Sequence, residues 1–156
     1  MKIDVISVGK LKEDFVLKGI KHYQKPLSKF AGLNFLSVKA HNLPDNASDK
    51  DREQAKEKEA EALLNKAEPS IMIALSPEGK HLSSENFAKL LADIQTYKGS
   101  KVTFFIGGSY GLAESIKKQA DHILSLSTLT FPHQLTALIL SEQLFRGFKI
   151  MKGETY

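Results

Sequence analysis

Two short runs of apolar, β-branched and aromatic residues constrain this chain more than any other feature. Ile71–Leu75 (IMIAL) follows Pro69, and Val102–Ile106 (VTFFI) precedes a pair of glycines. Runs without regular polar alternation are typical of strands that are buried on both faces of a parallel sheet. Because helical patterns separate the strands, the sequence predicts an α/β fold in which helices cover both faces of a parallel-type sheet.

The other segments also alternate between strand and helix patterns. The predicted order is strand Lys2–Val8, helix Phe15–Tyr23 ended by Pro26, strand Leu33–Lys39, loop His41–Ser48, helix Asp49–Lys66, strand Ile71–Leu75, loop Ser76–Ser83, helix Ser84–Tyr97 capped by Ser83 or Ser84, strand Val102–Ile106, helix Leu112–Ala120, strand Ile123–Leu126 and helix Gln134–Met151, ended near Gly153. A chain of 156 residues suits one core better than two. The elements therefore predict a single domain, residues 1–156, built by right-handed crossovers.

The amino-acid composition limits the kinds of function that this chain can have. The formal net charge is +4, from 22 Lys and Arg against 18 Asp and Glu, which allows a polyanionic partner without requiring one. The chain has no cysteine, which excludes thiolate metal sites, disulfides and cysteine nucleophiles. Its first strand carries Asp4, unlike a signal peptide, and no apolar run approaches the roughly 18 residues of a membrane span. These features predict a cytoplasmic protein without membrane or metal.

Charge is densest between Asp45 and Glu61, where seven acidic and four basic residues lie. Such mixed charge predicts a solvated helix face.

Three predicted strands end in loops with the residues of a binding site. Leu75 precedes SPEGK, Ile106 precedes GGSYG, and Leu126 precedes STLTFPH. In parallel α/β sheets, ligands bind beyond the carboxyl ends of the strands. The three loops are therefore expected to line one pocket.

The loop GGSYG also reads as G-x-S-x-G, the pattern of a serine nucleophile on a strand-to-helix turn. Ser109, Asp121 and His133 follow in the order of a hydrolase triad. However, Asp121 lies only twelve positions after Ser109, and one strand follows it, whereas a hydrolase sheet needs several more. The pattern favours Ser109 as a turn or cap residue, and a small serine hydrolase stays the alternative function.

Glycine spacing does not match a nucleotide-phosphate loop, since neither G-x-G-x-x-G nor G-x-x-x-x-G-K-[ST] occurs. Adjacent glycines at a strand end instead let backbone approach a ligand closely. Backbone N–H and C=O groups, with apolar walls from the three loops, suit an adenine edge or a carboxylate.

Three segments together resemble the RlmH family of SPOUT-class methyltransferases over essentially the whole chain. They are MKIDVISVGKLK, FFIGGSYGL and SLSTLTFPHQLTALILSEQLFRGFKIMKGETY, of which the last is the most specific. The resemblance implies a SPOUT fold with a trefoil knot near the C-terminus, a homodimer, and no metal. It also implies methyl transfer from S-adenosyl-L-methionine to N3 of a pseudouridine in large-subunit ribosomal RNA, within the assembled ribosome.

The resemblance also implies the cofactor-binding residues. These come from all three strand-end loops and are Leu75, Gly107, Leu126, Ser127, Thr128, Leu129, Thr130 and Phe131.

His133 follows this cofactor segment and has two interpretations. It is a catalytic base or substrate contact, or else a residue that starts a helix and bonds nearby backbone. The reaction needs little covalent chemistry, because the sulfonium already activates the methyl group, so positioning is expected to dominate catalysis.

The basic residues of the last helix are the expected substrate-binding residues. Arg146, Lys149 and Lys152 are spaced as a phosphate clamp, while Glu142 stands four residues before Arg146 and predicts a surface ion pair. Tyr156 is the expected substrate contact of the tail, although the family's tail usually runs a residue or two further.

The last helix is apolar on more than one side. One side is expected to cover the sheet, and the other either a partner subunit or an additional part of the core. The apolar residues are Leu135, Leu138, Ile139, Leu140, Leu144, Phe145, Phe148 and Met151. A basic RNA-binding module without catalysis would explain the charge but leave the three loops without a role.

Overall fold

The computed structural model describes residues 1–156 and contains five parallel strands and five α-helices. In chain order the elements are β1 (Lys2–Val8), α1 (Asp14–Leu27), β2 (Gly32–Val38), α2 (Asp49–Lys66), β3 (Ile71–His81), α3 (Ser84–Asp93), a π-helical turn (Ile94–Lys98), β4 (Lys101–Ile106), α4 (Glu114–Gln119), β5 (His122–Ser125) and α5 (His133–Met151). The strands form one sheet in the order β2-β1-β4-β3-β5, and every pair is parallel. The predicted α/β class is confirmed.

Helices cover both faces of the sheet because successive side chains of a strand point to opposite faces. Phe104 packs against α1, α3 and α5, whereas its neighbour Phe105 packs on the other face with α2 and α4. Both rings are fully buried. This two-sided burial explains why β3 and β4 appear in the sequence as apolar runs. None of the helices is both long and apolar enough to cross a membrane.

α1 does not end at Pro26 as predicted, because it continues to Leu27 with the proline inside its last turn. A proline there removes a single helical hydrogen bond, and the backbone N–H of Ser28 still bonds to the carbonyl of Gln24 at 3.0 Å. At the start of α3 the capping residue is Ser83, whose side chain accepts from the backbone of Asn86.

The largest difference from the predicted elements lies in β3, which continues through the expected loop Ser76–Ser83 to His81. After a register shift, Lys80 pairs with Leu124, which already pairs with Leu75. Gly79 allows this second pairing: a Cβ there would lie 2.7 Å from the carbonyl carbon of Leu124. The sequence pattern SPEGKH contains turn formers, so this tertiary pairing could not be predicted from it.

The charged residues of α2 are mostly solvated, as predicted, except Glu59, which is 3% exposed and lies on the buried side of the helix with Ala55, Ala60 and Leu63. One oxygen of this carboxylate accepts a hydrogen bond from the backbone N–H of His41 at 2.9 Å. A local charge pattern does not indicate which charged residue of a helix lies on the side that faces the sheet.

Candidate functional site

A cleft of about 300 Å³ opens beyond the carboxyl ends of β4 and β5, beside the point after Leu75 where the register of β3 shifts. These parts of the three strands are level because Leu75 pairs with Ile106 on one side and with Leu124 on the other. The lining residues come from the three expected loops and the start of α5: Leu75, Ser76, Pro77, Ile106, Gly107, Gly108, Ser109, Gly111, Leu112, Leu126, Ser127, Leu129, Thr130, Phe131, His133 and Thr136.

Seven of the eight residues expected to bind the cofactor line this cleft. Thr128 is the exception, and it is exposed. Parallel pairing brings the loops together although Leu75 and Leu126 are 51 positions apart in the sequence. Six of the 16 lining residues are hydrophobic, four of them leucines, and three of the others are glycines.

The glycine loop after β4 closes on itself. The N–H of Gly111 donates to the carbonyl of Gly108 at 3.0 Å, and Gly111 has a φ of 82°. A Cβ on Gly107 would lie 2.6 Å from the carbonyl carbon of Gly111. Gly107 does not itself have a positive φ. It is required because the backbone of its own loop passes this close, which is a different reason from the ligand approach expected from the sequence.

The segment after β5 presents free backbone groups to the cleft. Within residues 127–131, only the N–H of Leu129 is hydrogen-bonded in the chain, to Oγ of Ser127 at 3.0 Å. Oγ of Ser125 holds the same turn by donating to the carbonyl of Ser127 at 2.9 Å. Uncommitted donors next to apolar walls are what a pocket uses to orient a polar small molecule.

His133 is the first residue of α5, and its imidazole lies at the cleft against Gly9. A Cβ on Gly9 would stand 3.1 Å from Nε2 of His133, and Gly9 has a φ of 97°. Nε2 is buried without a hydrogen-bond partner. Gly9 was missed as a site residue, although a glycine directly after a strand is the only available signal for such close contact. His133 does start the helix, but its ring bonds no backbone group.

Ser109, Asp121 and His133 do not form a triad. Ser109 follows the carboxyl end of β4, whereas Asp121 stands before β5 and accepts a hydrogen bond from the N–H of Met72 at 2.8 Å. The four residues of β5 separate these two edges of the sheet by about 13 Å. The serine therefore has no acid positioned to support a base, and the hydrolase alternative fails on geometry.

Comparison with known protein families identifies the class of protein to which this chain belongs. The family model described as predicted SPOUT methyltransferase matches residues 1–156. The chain belongs to the SPOUT methyltransferase family.

Relatives within the family carry the name ribosomal RNA large subunit methyltransferase H. The protein of that name from Carboxydothermus hydrogenoformans is 45% identical over 157 residues, which covers 100% of this chain and 99% of the relative. The one from Shouchella clausii is also 45% identical, with the same coverage. The resemblance to the RlmH family is confirmed.

Two solved structures share the SPOUT fold. A probable methylase family protein from Haemophilus influenzae Rd KW20 has a TM-score of 0.55 at 14% identity, covering 97% of this chain and 67% of its own. The tRNA (m1G37) methyltransferase from Aquifex aeolicus has a TM-score of 0.56 at 13% identity, covering 94% and 69%. The fold class is confirmed, and the trefoil knot stays a prediction.

Arg146 of this methyltransferase does not line the cleft. Its guanidinium forms the ion pair with Glu142 that the helical spacing predicts, at 3.0 Å. The C-terminal tail folds back over the pair: the hydroxyl of Tyr156 donates to Glu142 at 2.6 Å, and its ring centre lies 3.9 Å from the guanidinium carbon. Arg146 and Glu142 of α5 thus form one cluster with Tyr156 of the C-terminal tail.

The contacts within this cluster shift the pKa values of Glu142 and Tyr156. Burial opposes ionisation of Glu142, but hydrogen bonds from Tyr156 and Arg146 outweigh it and hold the pKa of the carboxyl below its ordinary value of 4.5. Burial, followed by the hydrogen bond to Glu142, raises the pKa of Tyr156 well above its ordinary range. The tyrosine is therefore a neutral donor, and the carboxylate a charged acceptor, at neutral pH.

The two lysines of the expected clamp differ from Arg146. Lys149 pairs with Glu154 at 2.7 Å, while Lys152 is exposed and has no ion pair. Neither lines the cleft. A phosphate could reach Lys152 directly but would have to compete with a carboxylate at Lys149.

α5 packs between α1 and α3, and this accounts for most of its apolar surface. Phe148 is 1% exposed and stacks on Phe30 with ring centres 6.0 Å apart. The outer face of α5 keeps Leu135, Ile139 and Ile150 only partly covered. The side of α5 that packs in the core and the partly covered outer side are therefore two different faces of the helix.

Proposed function

We propose that this chain transfers a methyl group from S-adenosyl-L-methionine to N3 of a pseudouridine in large-subunit ribosomal RNA. The observation that carries the proposal is the cleft beside β3, β4 and β5, where seven expected cofactor residues meet in a chain of the SPOUT methyltransferase family. The name of the relatives supports large-subunit RNA as the substrate. Such a substrate supports a cytoplasmic location, and the resemblance favours the assembled ribosome.

The residues of the cleft fit the cofactor. A volume of about 300 Å³ is at the lower end of small-molecule sites. Leu75, Leu126 and Leu129 would enclose an adenine, and the uncommitted N–H groups after Ser127 would bind its polar edge or the carboxylate of the methionine part. Bound there, S-adenosyl-L-methionine supplies a methyl group already activated by a sulfonium.

His133 is the proposed contact for the reacting base. The imide N3 must lose its proton as it is methylated, and an imidazole at the cleft can accept one or hold the base in place. Since Nε2 is enclosed against Gly9, Nδ1 is the nitrogen left to face a substrate. Positioning by the cleft walls supplies most of the rate.

The distance along α5 argues for a site built from two chains. Arg146 lies 13 residues after His133, which is about 20 Å along a helix. One substrate nucleotide therefore cannot contact both residues of the same chain. In a homodimer joined through the outer face of α5, the cluster of Arg146 and Tyr156 would approach the partner's cleft. Lys149 and Lys152 would then bind phosphates next to the reacting nucleotide.

Methyl transfer from labelled S-adenosyl-L-methionine tests the proposal directly. Ribosomes and free large-subunit RNA, both lacking the modification, are incubated with the protein, and the labelled nucleotide is mapped. We expect label at N3 of one pseudouridine, with ribosomes as the better substrate. Absence of transfer to either RNA, or label in another nucleotide, would refute the proposed reaction.

A further inference from the structure

The positive charge of the chain is concentrated at its N-terminal end. Residues 1–39 contain eight lysines and three acidic residues, a net charge of +5. The whole chain carries +4, so residues 40–156 together carry −1. Of these eight lysines, only Lys2 has an ion pair, with Glu68. The unpaired charge must therefore face solvent or a partner.

Helix geometry collects four of these lysines on one surface, which we call the lysine face. Val16, Ile20 and Leu27 form the buried side of α1. Residues spaced three, four or seven apart share a helix face, and the opposite side carries exposed lysines at those spacings. The lysine face consists of Lys18, Lys21 and Lys25 of α1 with Lys29 just beyond it.

The segment that leads into the lysine face begins next to the cleft. The backbone N–H groups of Lys12 and Glu13 both donate to Oε1 of Gln134, at 3.0 and 2.8 Å. This fixes the start of α1 beside His133, whose ring lies against Gly9. The segment that leads from the cleft into α1 thus carries positive charge from its first residues.

A groove extends the basic surface across α1. It lies between α1 and the edge strand β2, has a volume of about 570 Å³, and has both Lys10 and Lys21 in its lining. Leu17 and Leu36 form part of its apolar floor. The ring of Phe15, 63% exposed, stands at the start of the same helix. Lysines beside exposed apolar and aromatic groups are what unpaired RNA segments bind, by phosphate contacts and stacking.

At its other end, the lysine face reaches the C-terminal part of α5. The hydrogen bond from Lys149, and then the charges of Lys29 and Lys152, lower the pKa of Glu154. Lys29 therefore lies near the basic end of α5. From Lys18 to Lys29 the chain advances 11 residues, about 16 Å if helical throughout. A strip of this length spans several phosphates.

We infer that the lysine face binds the phosphate backbone of the RNA substrate outside the methylation site. This rests on the proposed function for the identity of the RNA. A single sheet covered by helices can obtain RNA affinity from such a surface, because phosphate contacts supply most of the sequence-independent binding. The face positions the RNA, and the cleft selects the nucleotide.

Substitution of the four lysines tests the inference, with Lys18, Lys21, Lys25 and Lys29 all changed to Ala. The control changes four exposed lysines of α2 and α4 on the other sheet face, Lys50, Lys58, Lys66 and Lys118, to Ala, which alters the net charge equally. RNA affinity is measured over a range of salt, and circular dichroism checks folding. At about 0.7 per single-strand phosphate contact, the log–log salt slope should become shallower by about 3, and Kd should rise at least about tenfold.

The outcomes separate this inference from the proposed function. The control should keep its RNA Kd within about twofold, and kcat at saturating RNA should be unchanged in both variants. Equal weakening in both variants, or no weakening in either, would overturn the lysine face as a binding surface. If the wild type binds RNA through these lysines without methylating it, the surface stands and the proposed reaction falls.

Discussion

Two glycines at the cleft are required because other atoms approach their backbone closely. Gly107 faces the backbone of Gly111, and Gly9 faces the ring of His133. At each position a Cβ would lie between 2.6 and 3.1 Å from its neighbour, which is too close for ordinary packing. The shape of the cleft therefore depends on residues that offer no functional group of their own.

Gly107→Val should abolish binding of S-adenosyl-L-methionine in a chain that still folds, because the glycine loop can no longer close. Ser109→Ala should lose at most about a hydrogen bond, up to about tenfold in affinity, since Ser109 is exposed at the cleft edge. Calorimetric titration of both variants, with folding checked by circular dichroism, measures the difference. Loss of activity in Ser109→Ala with binding intact would instead give the serine a catalytic role.

The pair of Glu142 and Arg146 should stabilise the fold above about pH 4.5 and lose this effect in acid. A carboxyl whose pKa is lowered in the folded state contributes stability above its unfolded pKa, and the contribution disappears as pH falls through the lowered value. Urea denaturation of wild type and Glu142→Gln from pH 7 to pH 3 tests this. The difference in unfolding free energy should shrink toward low pH, and a constant difference would contradict the pairing.

At the scale of elements, the extension of β3 shapes the site. By pairing with β5 twice, β3 ties the loop before α3 to the segment that leads into the cleft. Helices and strands with strong patterns keep their predicted places, whereas this extension depends on a contact between distant segments.

Gly79→Val should lower the free energy of unfolding by ~1–3 kcal/mol, the usual cost of overpacking. Its Cβ would lie 2.7 Å from backbone of β5, whereas Gly32→Val places the same side chain where nothing lies within 4 Å. Gly32→Val is therefore the matched control and should change stability far less. Equal effects in chemical denaturation would show that strand propensity, and not contact with β5, decides the outcome.

At the scale of the whole molecule, the longest helix, α5, contributes to two surfaces. The inner side of α5 completes the core with α1 and α3, and its outer side carries Ile139 and Ile150 beside the ion pair of Arg146. Partly covered apolar groups around a charged cluster are typical of an interface between subunits.

Ile139→Glu should dissociate the proposed dimer into folded monomers, because a charge would be buried in the interface. Phe148→Glu should instead unfold the chain, since Phe148 is 1% exposed within its own core. Sedimentation at micromolar concentration, with circular dichroism, distinguishes the two. A wild type that sediments as a monomer would contradict the dimer.

The sequence by itself determined the α/β class, the order of the elements and the three loops that meet in the cleft. These follow from local periodicity, because buried parallel strands and amphipathic helices impose patterns that short segments display alone. The family resemblance added the cofactor residues, most of which line the cleft. Tertiary structure alone decided the extension of β3, the burial of Glu59 and the separation of Ser109 from Asp121. Each depends on which segment, distant in the sequence, packs against the residue or strand concerned. A local sequence pattern does not indicate that contact.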